Sequence, residues 1–100
     1  MNTIDLKIRN FQQFVRQLYI NIGKELPGEV QQMTLQLPLE VLAMLKVSIK
    51  TLNITSADAL YGTVKTNLQI SNDDLSKLSA TDIEKLKKYC NYFWEISLVI

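Results

Sequence analysis

Nucleophilic and metal-binding side chains are scarce in this sequence. It has no histidine, a single cysteine at Cys90, and three glycines at positions 23, 28 and 62. Without histidine there is no Ser-His or Cys-His dyad, and no base whose ordinary pKa lies near neutrality. Zinc sites draw mostly on Cys and His, so one cysteine cannot complete the usual closed ligand set. The Glu-x-x-His signature of di-iron helical bundles fails for the same reason. A phosphate-cradling loop needs clustered glycines before Lys and Ser/Thr, and Gly23, Gly28 and Gly62 are scattered. Asp73 and Asp74 are adjacent, but neighbouring helical side chains diverge by about 100°, so they read as favourable charge in a helix first turn. The expectation is a protein that is not an enzyme, with no catalytic residue, no cofactor and no metal.

Composition points the same way. Apolar residues make up 47% of the chain and charged residues 21%, as in an ordinary globular protein. One hundred residues are enough for one hydrophobic core, so residues 1–100 are expected to form a single helical domain. Eleven basic and ten acidic side chains leave a formal charge of +1, which announces no strong electrostatic partner. A lone cysteine forms no internal disulfide, and Cys90 lies on the apolar stripe of a predicted helix, where a buried inert thiol is expected. The first ten residues carry Asp5, Lys7 and Arg9 among their apolar neighbours, unlike a signal peptide. The apolar stretch 92–100 is too short to span a bilayer and contains Glu95. A cytoplasmic protein with no membrane partner is expected.

The elements follow from periodicity. Ile4, Ile8, Phe11, Val15, Leu18 and Ile22 recur every three or four residues, the stripe of one helix. Asn2 or Thr3 can cap its start and Gly23 its end. Residues 23–29, GKELPGE, carry the densest turn signal. The segment VQQMTLQLP that follows supports two readings. At period 3.6, Val30, Met33 and Leu37 share a face of a short helix. At period 2, Met33, Leu35 and Leu37 alternate with Gln32, Thr34 and Gln36 as in a strand. Residues 38–52 are apolar almost all round and predict a helix largely enclosed by other elements. Three start signals, Thr55-x-x-Asp58, Ser71-x-x-Asp74 and Ser79-x-x-Asp82, predict helices at about 56–69, 72–78 and 80–98.

Residues 33–68, MTLQLPLEVLAMLKVSIKTLNITSADALYGTVKTNL, resemble the ribbon-helix-helix family of dimeric DNA-binding domains. Leu35 and Leu37 match the inward strand positions. Pro38, Glu40, Leu42, Leu45, Lys50 and Leu52 match the first helix, and Asp58, Ala59, Leu60 and Val64 the second. Asn53-Ile54-Thr55 stands in for the turn, with Asn53 taking the left-handed place of a glycine. The resemblance implies a strand pair whose Gln32, Thr34 and Gln36 read the major groove, and a phosphate held near Thr55 and Ser56. The sequence departs from the family in having no Arg or Lys in the strand. It also places Leu39, Ala43, Met44 and Val47 where the family is polar, so further elements would have to cover them.

Tyr89, Tyr92, Phe93 and Trp94 place half of the eight aromatics within six residues, followed by an apolar Ser-Leu-Val-Ile tail. The segment reads either as a helix ending in the core or as an anchor for a protein partner. Lys85, Lys87 and Lys88 form a small basic cluster, expected to be a solvated face. Arg9 and Arg16 lie on one side of the first helix. Taken together, the sequence predicts an all-α fold, a compact bundle of four to six helices, with 33–37 open to a short strand. The expected function is non-catalytic: a small helical subunit acting by self-association, as a homo-oligomer or inside a larger protein assembly. Nucleic acid is an open partner and no small-molecule substrate is expected. In size and lack of catalytic groups the chain is similar to the small helical subunits of CRISPR effector complexes. The alternative is a ribbon-helix-helix regulator of transcription.

Overall fold

A computed structural model describes residues 2–99. It contains six helices among those residues and no strand: α1 (Thr3–Ile22), α2 (Gly28–Leu35), α3 (Pro38–Thr51), α4 (Ala57–Asn67), α5 (Asn72–Ser76) and α6 (Ala80–Val99). The all-α bundle expected from periodicity is the fold observed, with a radius of gyration of 12.9 Å.

The first helix is the axis of the core. Ile8, Phe11, Val15, Leu18 and Ile22 of its stripe are buried, together with Phe14 and Tyr19. Asn2 caps it by accepting from the Asp5 amide at 2.8 Å, and Gly23 ends it at φ 80°, a left-handed conformation that L side chains seldom tolerate. The last helix runs antiparallel to α1. Phe11 meets Tyr89 and Phe93 at ring separations of 5.3 and 5.0 Å, Phe14 meets Tyr89 at 5.3 Å, and Asn21 reaches Asp82 at 3.0 Å. Helices α2 and α3 pack on α1, and α4 packs on α6.

Two start signals function as read. Ser71 and Asp74 form a reciprocal capping box on α5, and Ser79 accepts from the Asp82 amide at the start of α6. The third is shifted by one residue, because Ser56, not Thr55, takes the extended cap conformation and accepts from the Ala59 amide at 3.1 Å. Asn53 adopts φ 53° in the turn between α3 and α4, the left-handed role expected of it, and Gln69 does the same after α4 at φ 56°.

One open alternative is decided and one expectation is corrected. Residues 33–37 do not form a strand: α2 continues to Leu35, and Gln36 and Leu37 are an extended link into α3. Val30, Met33 and Thr34 turn inward, a helical spacing, and leave Leu35 and Leu37 in solvent. A strand here would need hydrogen-bond partners from a neighbouring strand, whereas the helix satisfies its own backbone and α1 finishes its end. An all-helical chain does not fit a paired ribbon. The correction concerns α3, which the other described residues do not enclose. Pro38 is its one buried residue, Val41, Leu42, Leu45 and Ile49 are half-buried, and Leu39, Met44 and Val47 are 75%, 51% and 63% exposed.

Candidate docking face and cleft of the third helix

The link between α2 and α3 is fixed by a side chain that the apolar stripe of α1 conceals. Gln12 is buried, and its Nε2 donates to the main-chain oxygens of Met33 and Gln36, both at 2.9 Å. One amide thus satisfies the open carbonyl end of α2 and holds the corner from which α3 departs. Arg16, one turn further along α1, donates through Nε to Thr34 Oγ1 at 3.1 Å, and Thr34 donates to the Gln31 carbonyl. The far end of α3 is fixed by buried Ile54, whose amide donates to the Ile49 oxygen at 3.0 Å.

Held at both ends, α3 presents two faces. Its outer face displays Glu40, Ala43, Val47 and Lys50, all exposed, at successive spacings of three, four and three. Leu39 and Met44 flank this stripe, while Leu35, Leu37 and Leu52 are exposed near the two ends of the helix at 66%, 61% and 58%. Its inner face borders an apolar cleft of about 340 Å³. Val41, Leu42 and Leu45 form one wall, and Leu60, Val64 and Phe93 line the other sides. Glu29, Ser48, Thr63 and Asn67 bring the polar groups to the cleft, and Glu29 alone among the lining residues carries a charge.

The residues singled out from sequence are distributed differently. Phe93 is buried in the α1–α6 packing, while Tyr89, Tyr92 and Trp94 are half-buried against it. Tyr92 carries Lys7 at 5.1 Å from its ring. Burial raises the pKa of Tyr89 above the ordinary tyrosine value. Gln32, Thr34 and Gln36 do not share a face. Gln32 is exposed and Thr34 is buried against α1. Gln36 is half-buried, with an Oε1 that is buried and without a hydrogen-bond partner. Thr55 and Ser56 are exposed at the start of α4. Of the clustered lysines, Lys85 lies over Phe14 at 5.1 Å and Lys87 over Tyr61 at 5.5 Å. Of the apolar tail, Leu98 and Val99 are exposed, and Ile100 lies outside the described residues.

The titratable interior is structural. Cys90 is fully buried and desolvation pushes its thiol up to about 12, so it is held as the unreactive protonated form. Asp74 is buried and accepts from the Ser71 amide at 2.9 Å and Lys24 Nζ at 3.0 Å, which hold its carboxyl below the ordinary aspartate value. Tyr19 donates its hydroxyl to the Leu68 oxygen, tying α1 to the end of α4. Burial, and secondarily the charge on Asp74, raise its pKa. Among the described residues no group of three His, Cys, Asp or Glu gathers as a metal site, and no helix is long and apolar enough to cross a membrane.

Comparison with known proteins finds no matching protein-family model, no matching curated protein and no matching solved structure.

Proposed function

We propose that this chain is a non-catalytic helical binding module that self-associates through α3, with a second copy lying antiparallel across its outer face. The observation that carries the reading is the bare apolar side of a helix fixed at both ends. Fully burying one large aliphatic side chain removes on the order of 100 Å² from water. Leu39, Met44 and Val47, on and beside the stripe, then expose roughly 200 Å² of apolar surface. That is a small share of the roughly 800 Å² per partner of a standard interface, so the pairing is weak and depends on concentration.

The stripe itself supports a second copy as the occupant. Its spacing of three, four and three reads the same from either end, so a two-fold axis near the middle of α3 sets Ala43 against Val47 of the second copy. Glu40 then faces Lys50 of the second copy, and the same pair recurs on the other side of the axis. This is the self-complementarity that an isologous interface requires. A net charge of +1 offers little long-range repulsion between copies. Exposed Leu98 and Val99, beside half-buried Tyr92 and Trp94 on α6, supply a separate surface for a place in a larger assembly, including one that handles nucleic acid.

Charge reversal tests the register. Glu40→Lys sets like charges at both symmetric positions and weakens association by about five- to tenfold, as two exposed ion pairs allow. Glu40→Lys with Lys50→Glu restores it. Sedimentation velocity over roughly micromolar to millimolar concentrations reads both variants. A double variant as weak as the single one refutes the antiparallel register.

A further inference from the structure

We infer that the cleft beneath α3 is a binding site for an uncharged, chain-like apolar molecule, of the class of a medium-chain alcohol. Three observations carry this. The first is size: an enclosed apolar cavity of about 150 Å³ takes up benzene, and this cleft, open on one side, measures about 340 Å³. The second is that the protein cannot readily close it. Gln12 and buried Pro38 hold one end of α3, and Ile54 with the left-handed Asn53 holds the other. Links of two and five residues, 36–37 and 52–56, connect α3 to its neighbours, so the helix cannot settle inward without losing those contacts. The apolar walls of the cleft therefore stay open to water, and an apolar molecule that displaces that water gains the hydrophobic free energy of the covered surface.

The third observation selects the ligand. The walls are aliphatic and aromatic, and Met33 and Met44 supply adaptable side chains that suit a flexible chain. Asn67, Thr63 and Ser48 offer amide and hydroxyl groups to a hydroxyl head. Glu29, whose Oε2 accepts from Gln69 Nε2 at 3.0 Å, repels a carboxylate head and disfavours free fatty acids. The cleft lies on the other side of α3 from Ala43 and Val47, with Met44 on the border of both faces, so the inference does not rest on self-association.

The test is a titration of methyl-labelled protein with octan-1-ol and, separately, with octanoate, followed by carbon–proton correlation spectra. The expected result is saturable shifts at the methyls of Val41, Leu42, Leu45, Leu60 and Val64, with octan-1-ol binding at least tenfold tighter than octanoate. Val41→Phe adds a ring to the cleft wall and weakens octan-1-ol binding by about tenfold or more. If that variant fails to fold, the contrast between alcohol and acid in the unaltered protein decides the matter. Equal binding of the two, an absence of saturable shifts, or shifts confined to Leu39 and Val47 on the outer face each overturn the proposal. Unchanged octan-1-ol affinity in folded Val41→Phe does so as well.

Discussion

Replacing Gln12 with alanine is the perturbation that most sharply tests how α3 is positioned. The change deletes two donor contacts of 2.9 Å from a buried amide. The Met33 oxygen keeps the Gln36 amide at 3.3 Å, but the Gln36 oxygen loses the donor that α1 supplies. A neutral hydrogen bond is worth about 0.5–1.5 kcal/mol net, and a buried acceptor left unpaired costs about 1–3 kcal/mol. The combined loss is about 2–4 kcal/mol, a large share of the roughly 5–15 kcal/mol that stabilises a small domain. For a chain of this size the melting temperature should fall by roughly 10–25 °C. The assay is urea and thermal unfolding followed by circular dichroism, beside exposed Gln13→Ala as control, which should change stability by less than about 0.5 kcal/mol. If the two variants are equally mild, Gln12 does not hold the α2–α3 corner. The argument that α3 is fixed over its cleft would then fail with it.

Two further outcomes follow from the buried polar and thiol groups. Because Asp74 is held below its ordinary pKa by the Ser71 amide and Lys24, its contribution is fully present above the unfolded-state value near 3.8 and is lost as pH falls through the lower folded value. Urea midpoints measured between roughly pH 6 and pH 2 should therefore decline for the native protein, and less steeply for Asp74→Asn; identical acid limbs would remove Asp74 from the account. The Cys90 thiol, pushed up to about 12 by burial, should resist an aromatic disulfide reagent at about pH 8 in the folded protein and react promptly in urea. Prompt reaction without denaturant would mean that the α4–α6 packing opens freely.

How much was legible in the sequence depended on whether a residue's role was local. The stripe of α1 and its caps at Asn2 and Gly23 are local, and the helix spans the residues that they delimit. The capping box at Ser71 and Asp74 and the left-handed Asn53 are local too. Residues 33–37 were ambiguous because Met33, Leu35 and Leu37 fit a strand while Val30, Met33 and Thr34 fit a helix. The decision came from α1, through Gln12 and Arg16, partners more than fifteen positions away in the chain. Gln12 itself carries no local signal, since a glutamine beside an apolar stripe is ordinarily solvated. The apolar girth of α3 was plain, but whether its cover came from within the chain was not. The symmetric spacing of Glu40, Ala43, Val47 and Lys50 gains meaning only once those residues are known to face outward. Of the aromatics 89–94, Phe93 is buried in the core while Tyr89, Tyr92 and Trp94 are half-buried against it, a division that depends on where α1 lies.

The pairing of α3 with a second copy is tested most directly by an isotope-filtered Overhauser spectrum on an equal mixture of labelled and unlabelled protein. The account predicts cross-peaks between the Val47 methyls of one copy and the Ala43 methyl of the other, in a species of twice the 11.5 kDa chain mass. A monomer at every concentration, or a dimer whose only intermolecular cross-peaks arise from α6, would contradict it.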